Sequence, residues 1–230
     1  MSTTWFDTLA VFDLETTGID VDTSRVVSAY VGVIAADGSV IEQLDWLADP
    51  GIEIPPGASA VHGITTERAR AEGRPAQEVV SEIVAALQSA LDRGLAVTVY
   101  NAPYDLTLLN RECLRHGLSA LSKPKPVIDP LVIDKAVDRY RKGKRTLEIA
   151  AQVYSVDLAD AHNAGADAVA AGRVAQAIAR RYPAELALTA AELHMKQIAW
   201  SAEQDASFAE YMRGTRDPNF VSSRGGWPQY

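Results

Sequence analysis

Asp13 and Glu15 stand one residue apart at the end of a mostly apolar run, residues 9–14. In a strand, alternate side chains share a face, so these two carboxylates point one way and Leu14 the other. Carboxylates held side by side repel each other unless a cation sits between them. Two more acids lie far downstream. Asp105 falls in the first turn of a helix predicted around Pro103, and Asp167 in the first turn of a helix predicted over residues 164–180, with His162 just outside it. Singly, each acid has an ordinary explanation, since a solvated strand end tolerates charge and a helix's first turn favours it. Together they ask for counter-charge, and hard divalent cations with oxygen ligands are the usual remedy. Two such ions roughly 4 Å apart can activate a water and stabilise the leaving oxygen of a phosphoryl displacement. A nearby imidazole can act as general base.

The elements that must carry these residues follow from the pattern. Residues 9–14, 25–35 and 40–47 read as three strands of an antiparallel meander, with Asp37-Gly38 as a hairpin turn. Residues 50–57 form a proline-rich loop leading to His62-Gly63-Ile64-Thr65. Residues 75–91 place Val79, Val80, Ile83, Val84 and Leu87 on one helical face. A short strand is predicted over 95–100, then a helix extended by Leu106, Leu109 and Leu114, then a brief strand over 127–129. Helices are predicted over 146–154 and 164–180. Beyond Pro183, Thr189 and Glu192 make a capping box that opens a helix to about Met212. Residues 214–230, including Trp227, show no periodicity and are expected either to pack on the body or to be disordered. The order implies one mixed sheet with helices on its faces, an α/β fold.

Composition sets the bounds. A chain of 230 residues with 47% hydrophobic content can bury one core of moderate size. The single cysteine, Cys113, excludes an internal disulfide and a cysteine zinc site. No apolar run approaches the roughly 18 residues of a membrane span, and no basic leader precedes the first strand. A cytoplasmic location and no membrane partner are therefore expected. The net charge of −8 argues against a nucleic-acid partner, yet residues 135–145 hold six basic residues against the one acid Asp138. That run is either an exposed loop and helix edge or a phosphate track beside the site.

FDLETTG (12–18), NAPYD (101–105) and HNAGAD (162–167) resemble the three ordered motifs of the DEDDh, or DnaQ-like, 3′–5′ exonucleases, whose members include the proofreading epsilon subunit of bacterial replicative DNA polymerase. The likeness covers residues 8–182. It implies a ribonuclease-H-like fold and two divalent metal ions, Mg²⁺ or Mn²⁺. Asp13, Glu15 and Asp167 would ligate one ion, Asp13 and Asp105 the other, and His162 would take the proton of the attacking water. By the same resemblance, Leu14 and the Thr16–Thr17 backbone correspond to elements that wedge against the terminal bases and hold the 3′-hydroxyl. His62 and Ile64 correspond to the lining of the terminal nucleotide's pocket. The alternative for Leu14 and Ile64 is that they are plain core residues. Asn101, counted among the substrate-binding candidates, can alternatively position its turn through side-chain hydrogen bonds.

The implied activity is release of nucleoside 5′-monophosphates from the 3′ end of single-stranded nucleic acid, DNA favoured over RNA, in proofreading or repair. Trimming of oligoribonucleotides or RNA ends is the alternative substrate reading. An association with a DNA polymerase or repair complex, or a role as a docking subunit, would use the extension after Pro183. The expected organisation is an exonuclease domain over 1–183 and a helix and tail over 184–230.

Overall fold

In a computed structural model of the chain, residues 4–158, 162–222 and 226–230 are described. Strands β1 (Leu9–Thr16), β2 (Val26–Ile34) and β3 (Val40–Asp49) form the antiparallel meander. Two short helices, α1 (Pro56–His62) and α2 (Thr66–Glu72), follow, then the two-residue β4 (Arg74–Pro75) and the long α3 (Ala76–Asp92). β5 (Ala96–Thr98) and β6 (Val127–Ile128) lie parallel to β1 on its other side, giving a six-stranded sheet in the order β4-β3-β2-β1-β5-β6. Between them runs α4 (Ala102–Arg115), and after β6 come α5 (Pro130–Val137), α6 (Leu147–Val153), α7 (Ala164–Arg181) and α8 (Ala190–Thr215). This is the α/β arrangement the sequence implied, a mixed sheet flanked by helices.

The period of two in β1 sorts the core. Ala10, Phe12 and Leu14 face α3 and α4, whereas Leu9 and Val11 face α7. Asp13 and Glu15 continue the second row, so strand alternation carries them to the start of α7. α7 lies close against the sheet because Gly172 leaves room. A Cβ there would stand 2.5 Å from a methyl of Val11 and 2.6 Å from one of Ile34. Gly172→Ala is expected to push α7 off the sheet and cost about 1–3 kcal/mol of stability, read as a lower urea midpoint at unchanged slope. An unaltered midpoint would show that the contact relaxes freely.

Several expectations are corrected by the packing. The loop over 50–57 gives way at Pro56 to α1, whose first turn accommodates proline because its N–H is not needed there. α5 was not visible as a separate helix; Asp129 caps it and Pro130 opens it. The helix extended by Leu106, Leu109 and Leu114 is α4; its buried face runs through Leu106, Leu109 and Cys113, and Leu114 is 64% exposed.

Part of the basic run is spoken for. Asp134 is fully buried, and Arg141 and Arg145 both pair with it. Arg141 also pairs with Asp138. These two arginines neutralise a buried acid. Of the remaining basic residues in the run, Arg139, Lys142 and Lys144 are exposed. Arg145→Met is expected to cost about 2–3 kcal/mol, because it takes one of two guanidinium partners from a buried carboxylate; chemical denaturation measures it, and a loss below about 1 kcal/mol would deny the pair its weight.

β6 ends the sheet, but its outer edge is not left open. Val127 N–H donates to His194 Nδ1 (3.1 Å), Val127 C=O accepts from Gln197 Nε2 (3.0 Å), and Asp129 N–H donates to Gln197 Oε1 (2.7 Å). Side chains of α8 thus occupy the hydrogen-bonding positions of a missing strand. Among residues 214–230, Trp227 is buried against the body.

Candidate active site

The end of β1 and the start of α7 bring Asp13, Glu15 and Asp167 together, with one carboxylate oxygen of each within 4.8 Å of the others. Asn163 makes this possible at the helix end. Its Oδ1 accepts from Gly165 N–H and Ala166 N–H, capping α7 so that Asp167 sits in the first turn. Asp167 Oδ2 in turn accepts from the His162 backbone N–H at 3.2 Å, and His162 takes the left-handed conformation (φ 67°) that this reciprocal turn requires.

Asp105 stands just outside this triplet. It is buried, and its Oδ1 accepts from Leu14 N–H at 3.2 Å, tying the first turn of α4 to β1. The cluster is electrostatically strained. Burial, then Asp105, Glu15 and Asp167, push the Asp13 carboxyl well above the usual carboxylate range. Burial and Asp167 push Glu15 up to about 8. Asp105 and Asp167 are also raised, mainly by burial, with the Leu14 and His162 amides opposing. Among the described residues, no lysine or arginine pairs with Asp13, Glu15, Asp105 or Asp167, and Asp167 Oδ1 is buried without a hydrogen-bond partner. Oxygen donors without cationic neighbours suit a hard divalent ion.

A stability consequence follows. A carboxylate whose folded pKa is raised favours folding below its unfolded value, near 4.5 for Glu15, and loses that contribution as pH climbs through about 8. Without metal, melting temperature should fall across this window. With saturating Mg²⁺ it should hold, so that the gap between EDTA and Mg²⁺ melting curves widens with pH. A gap independent of pH would deny metal binding by these carboxylates.

The other sequence candidates fall around the cluster. His162 is exposed, and its Nε2 lies 3.7 Å from Glu148 Oε1 on α6. His62 is half-buried; its Nδ1 accepts from Ile64 N–H (3.1 Å), while its Nε2 is buried without a partner. Glu15, His62, Ile64, Arg68 and His162 line one cleft of about 270 Å³ with Trp46. Ile64 is buried with Val27, Ile54 and Ala69, and Leu14 packs in the α3–α4 half of the core. Thr17 closes the β1–β2 turn, its N–H donating to Arg25 C=O and its hydroxyl accepting from Arg25 N–H. Thr16 Oγ1 lies 2.6 Å from the Tyr104 hydroxyl.

Asn101 holds a left-handed backbone (φ 63°) and makes no side-chain cap, contrary to the side-chain reading. Its amide and that of Ala102 donate instead to Asp129, 3.0 Å each. Asp129, Tyr104 and Glu148 are therefore site-building residues that sequence reading passed over. An aspartate before Pro130 carried a helix-cap signal, but its second use, capping α4, depends on the parallel pairing of β5 with β6.

Fold and site define a ribonuclease-H-like domain with an acidic cluster where the first strand meets the last sheet-packed helix. Residues 10–175 match the RNase_T exonuclease model, and the chain belongs to that exonuclease family. It is 30% identical over 168 residues to the PolC-type DNA polymerase III of Lacticaseibacillus paracasei, covering 73% of this chain but 11% of that polymerase. The same identity and coverage hold over 171 residues for the Streptococcus thermophilus polymerase. Among solved structures, an exonuclease I structure superposes with a TM-score of 0.69 at 21% identity, covering 79% of this chain and 42% of that one. Escherichia coli exonuclease I in complex with a dT13 oligonucleotide gives 0.67 at 21% identity, over 78% and 42%. The chain thus spans about a ninth of the polymerases and under half of the exonucleases.

Proposed function

We propose that this protein is a divalent-metal-dependent 3′–5′ exonuclease that releases nucleoside 5′-monophosphates from single-stranded DNA. The observation that carries the reading is the convergence of Asp13, Glu15 and Asp167 within 4.8 Å, from segments about 150 residues apart, with no lysine or arginine among the described residues to pair them. Asp13, Glu15 and Asp167 would hold one ion, and Asp13 with Asp105 a second, Mg²⁺ or Mn²⁺. Such ions acidify a coordinated water and offset charge on the leaving 3′-oxygen. His162, exposed at the rim and facing Glu148, would accept the water's proton. The cleft beside Glu15 would receive the terminal nucleotide, with His62 and Ile64 on its wall, Leu14 and the Thr16–Thr17 segment at the scissile end, and Asn101 shaping the turn before Asp105. Arg68, ion-paired with Glu72, also lines that cleft.

The DNA preference is supported by the oligodeoxynucleotides bound to exonuclease I, and a polymerase or repair partner by the PolC-type relatives. Residues 1–183 would carry the exonuclease unit and 184–230 an extension packed on it. A cytoplasmic place fits those relationships; among the described residues no helix is long and apolar enough to cross a membrane. The test uses 5′-labelled single-stranded DNA and RNA with Mg²⁺ or Mn²⁺, and a 3′-phosphate substrate as end control. A metal-dependent ladder from the 3′ end, faster on DNA, is expected. Faster RNA degradation would replace the substrate, and no degradation of either polymer would overturn the reading.

A further inference from the structure

We infer that the segment 226–230, anchored by Trp227, is an intramolecular brace that sets the position of Asp105 through the buried carboxylate of Asp129. The catalytic relevance of Asp105 rests on the function proposed above; the mechanical coupling does not.

α4 begins without a cap of its own, since the Asn101 side chain makes no capping bond. The amides of a helix's first turn need acceptors, and Asp129, wholly buried at the end of β6, provides them. Its Oδ1 accepts from Asn101 N–H and from Leu131 N–H, and its Oδ2 from Ala102 N–H, all at 3.0 Å. One carboxylate therefore caps α4 and α5 together. Its fourth donor is the Trp227 indole N–H, 3.3 Å from Oδ2.

The indole is held from behind by α8, where the His194 ring lies 5.0 Å away between centroids, and His194 itself bonds the edge of β6. Beyond Trp227 the chain follows α4. Gln229 Oε1 accepts from Asn110 Nδ2 (2.9 Å), and Tyr230 N–H donates to Thr107 Oγ1 (3.0 Å). Positions 107 and 110 are one turn apart on the helix whose first turn presents Asp105, so the segment grips the helix at its capping carboxylate and along its side. Asp105 then reaches β1 through Leu14 N–H. A buried carboxylate that loses one donor is left less well satisfied, and the hydrogen bonds of the network it anchors open more readily. Reacting groups tolerate little displacement, on the order of 1 Å costing about 10²-fold.

The coupling is read most directly by amide exchange in the full chain. In Trp227→Ala, exchange of the Leu14, Asn101 and Ala102 amides is expected to quicken at least about tenfold, while β2-paired amides of β1 keep their protection. Cleavage kcat should drop about tenfold and the Mn²⁺ concentration for half-maximal rate should rise, with the oligonucleotide KM within about twofold. Trp227→Phe keeps a ring but has no N–H, and is expected to show the same pattern at smaller amplitude. Unchanged exchange at Leu14, Asn101 and Ala102 in folded Trp227→Ala would overturn the brace, as would a gain in activity, the signature of an inhibitory tail. Should Trp227→Ala not fold, unchanged exchange in Trp227→Phe would overturn it. A wild-type chain that cleaves nothing would defeat the proposed function alone, and exchange would still decide the brace.

Discussion

Asp13→Asn should abolish cleavage, by more than about 10³-fold, well beyond the 10–100-fold that follows loss of a group merely supporting a metal ligand. Asp13 is the carboxylate on which the others converge: Asp105, Glu15 and Asp167 all act on its charge. It is the one acid assigned to both ions, so the asparagine removes half a charge balance at each. Steady-state cleavage of a labelled oligonucleotide with Mn²⁺ at several concentrations measures this. Retention of full activity, at any metal level, would remove Asp13 from the site.

The same substitution should have the opposite sign in stability. In metal-free protein the Asp13 carboxylate is buried among like charges, and the amide relieves that repulsion at nearly constant shape. At alkaline pH in EDTA, Asp13→Asn should be more stable than the parent by about 1 kcal/mol, while gaining less from Mg²⁺. A site that trades stability for metal affinity gives this crossed pattern. A residue serving only the core would lose stability in both conditions.

Much of this arrangement was legible because it rests on local periodicities. The strands of the meander, α3, α7 and the capping box of α8 each announce themselves within about 20 residues of sequence. The acidic motifs sit at ends of those elements, so placing the elements placed the acids. Less accessible were features set by tertiary pairing. Asp134 gives no sign in sequence that Arg141 and Arg145 will fold back on it, so a run with six basic residues looked like open positive surface. Asp129 reads as the end of a brief strand yet caps two helices, because β5 and β6 place the starts of α4 and α5 side by side. Trp227 lies in a stretch without periodicity, and only its burial against Asp129 and His194 gives it a role.

His162→Ala is the second large effect expected, a loss of about 10²–10⁴ in kcat with fold and metal binding kept. The separation from the acids is physical. The His162 backbone amide, not its ring, bonds Asp167, so the alanine retains the contact that supports the metal ligand. The ring projects from a left-handed residue at the rim, half-exposed, with Glu148 3.7 Å from Nε2. Loss of the imidazole therefore removes a proton acceptor without collapsing a packed interface. Mg²⁺ should raise the melting temperature of His162→Ala as much as that of the parent, and the residual rate should climb with hydroxide concentration where the parent profile has levelled. A variant cleaving at the parent rate throughout neutral pH would take the base role away from His162. Loss of the Mg²⁺ stabilisation would show instead that the residue acts through Asp167.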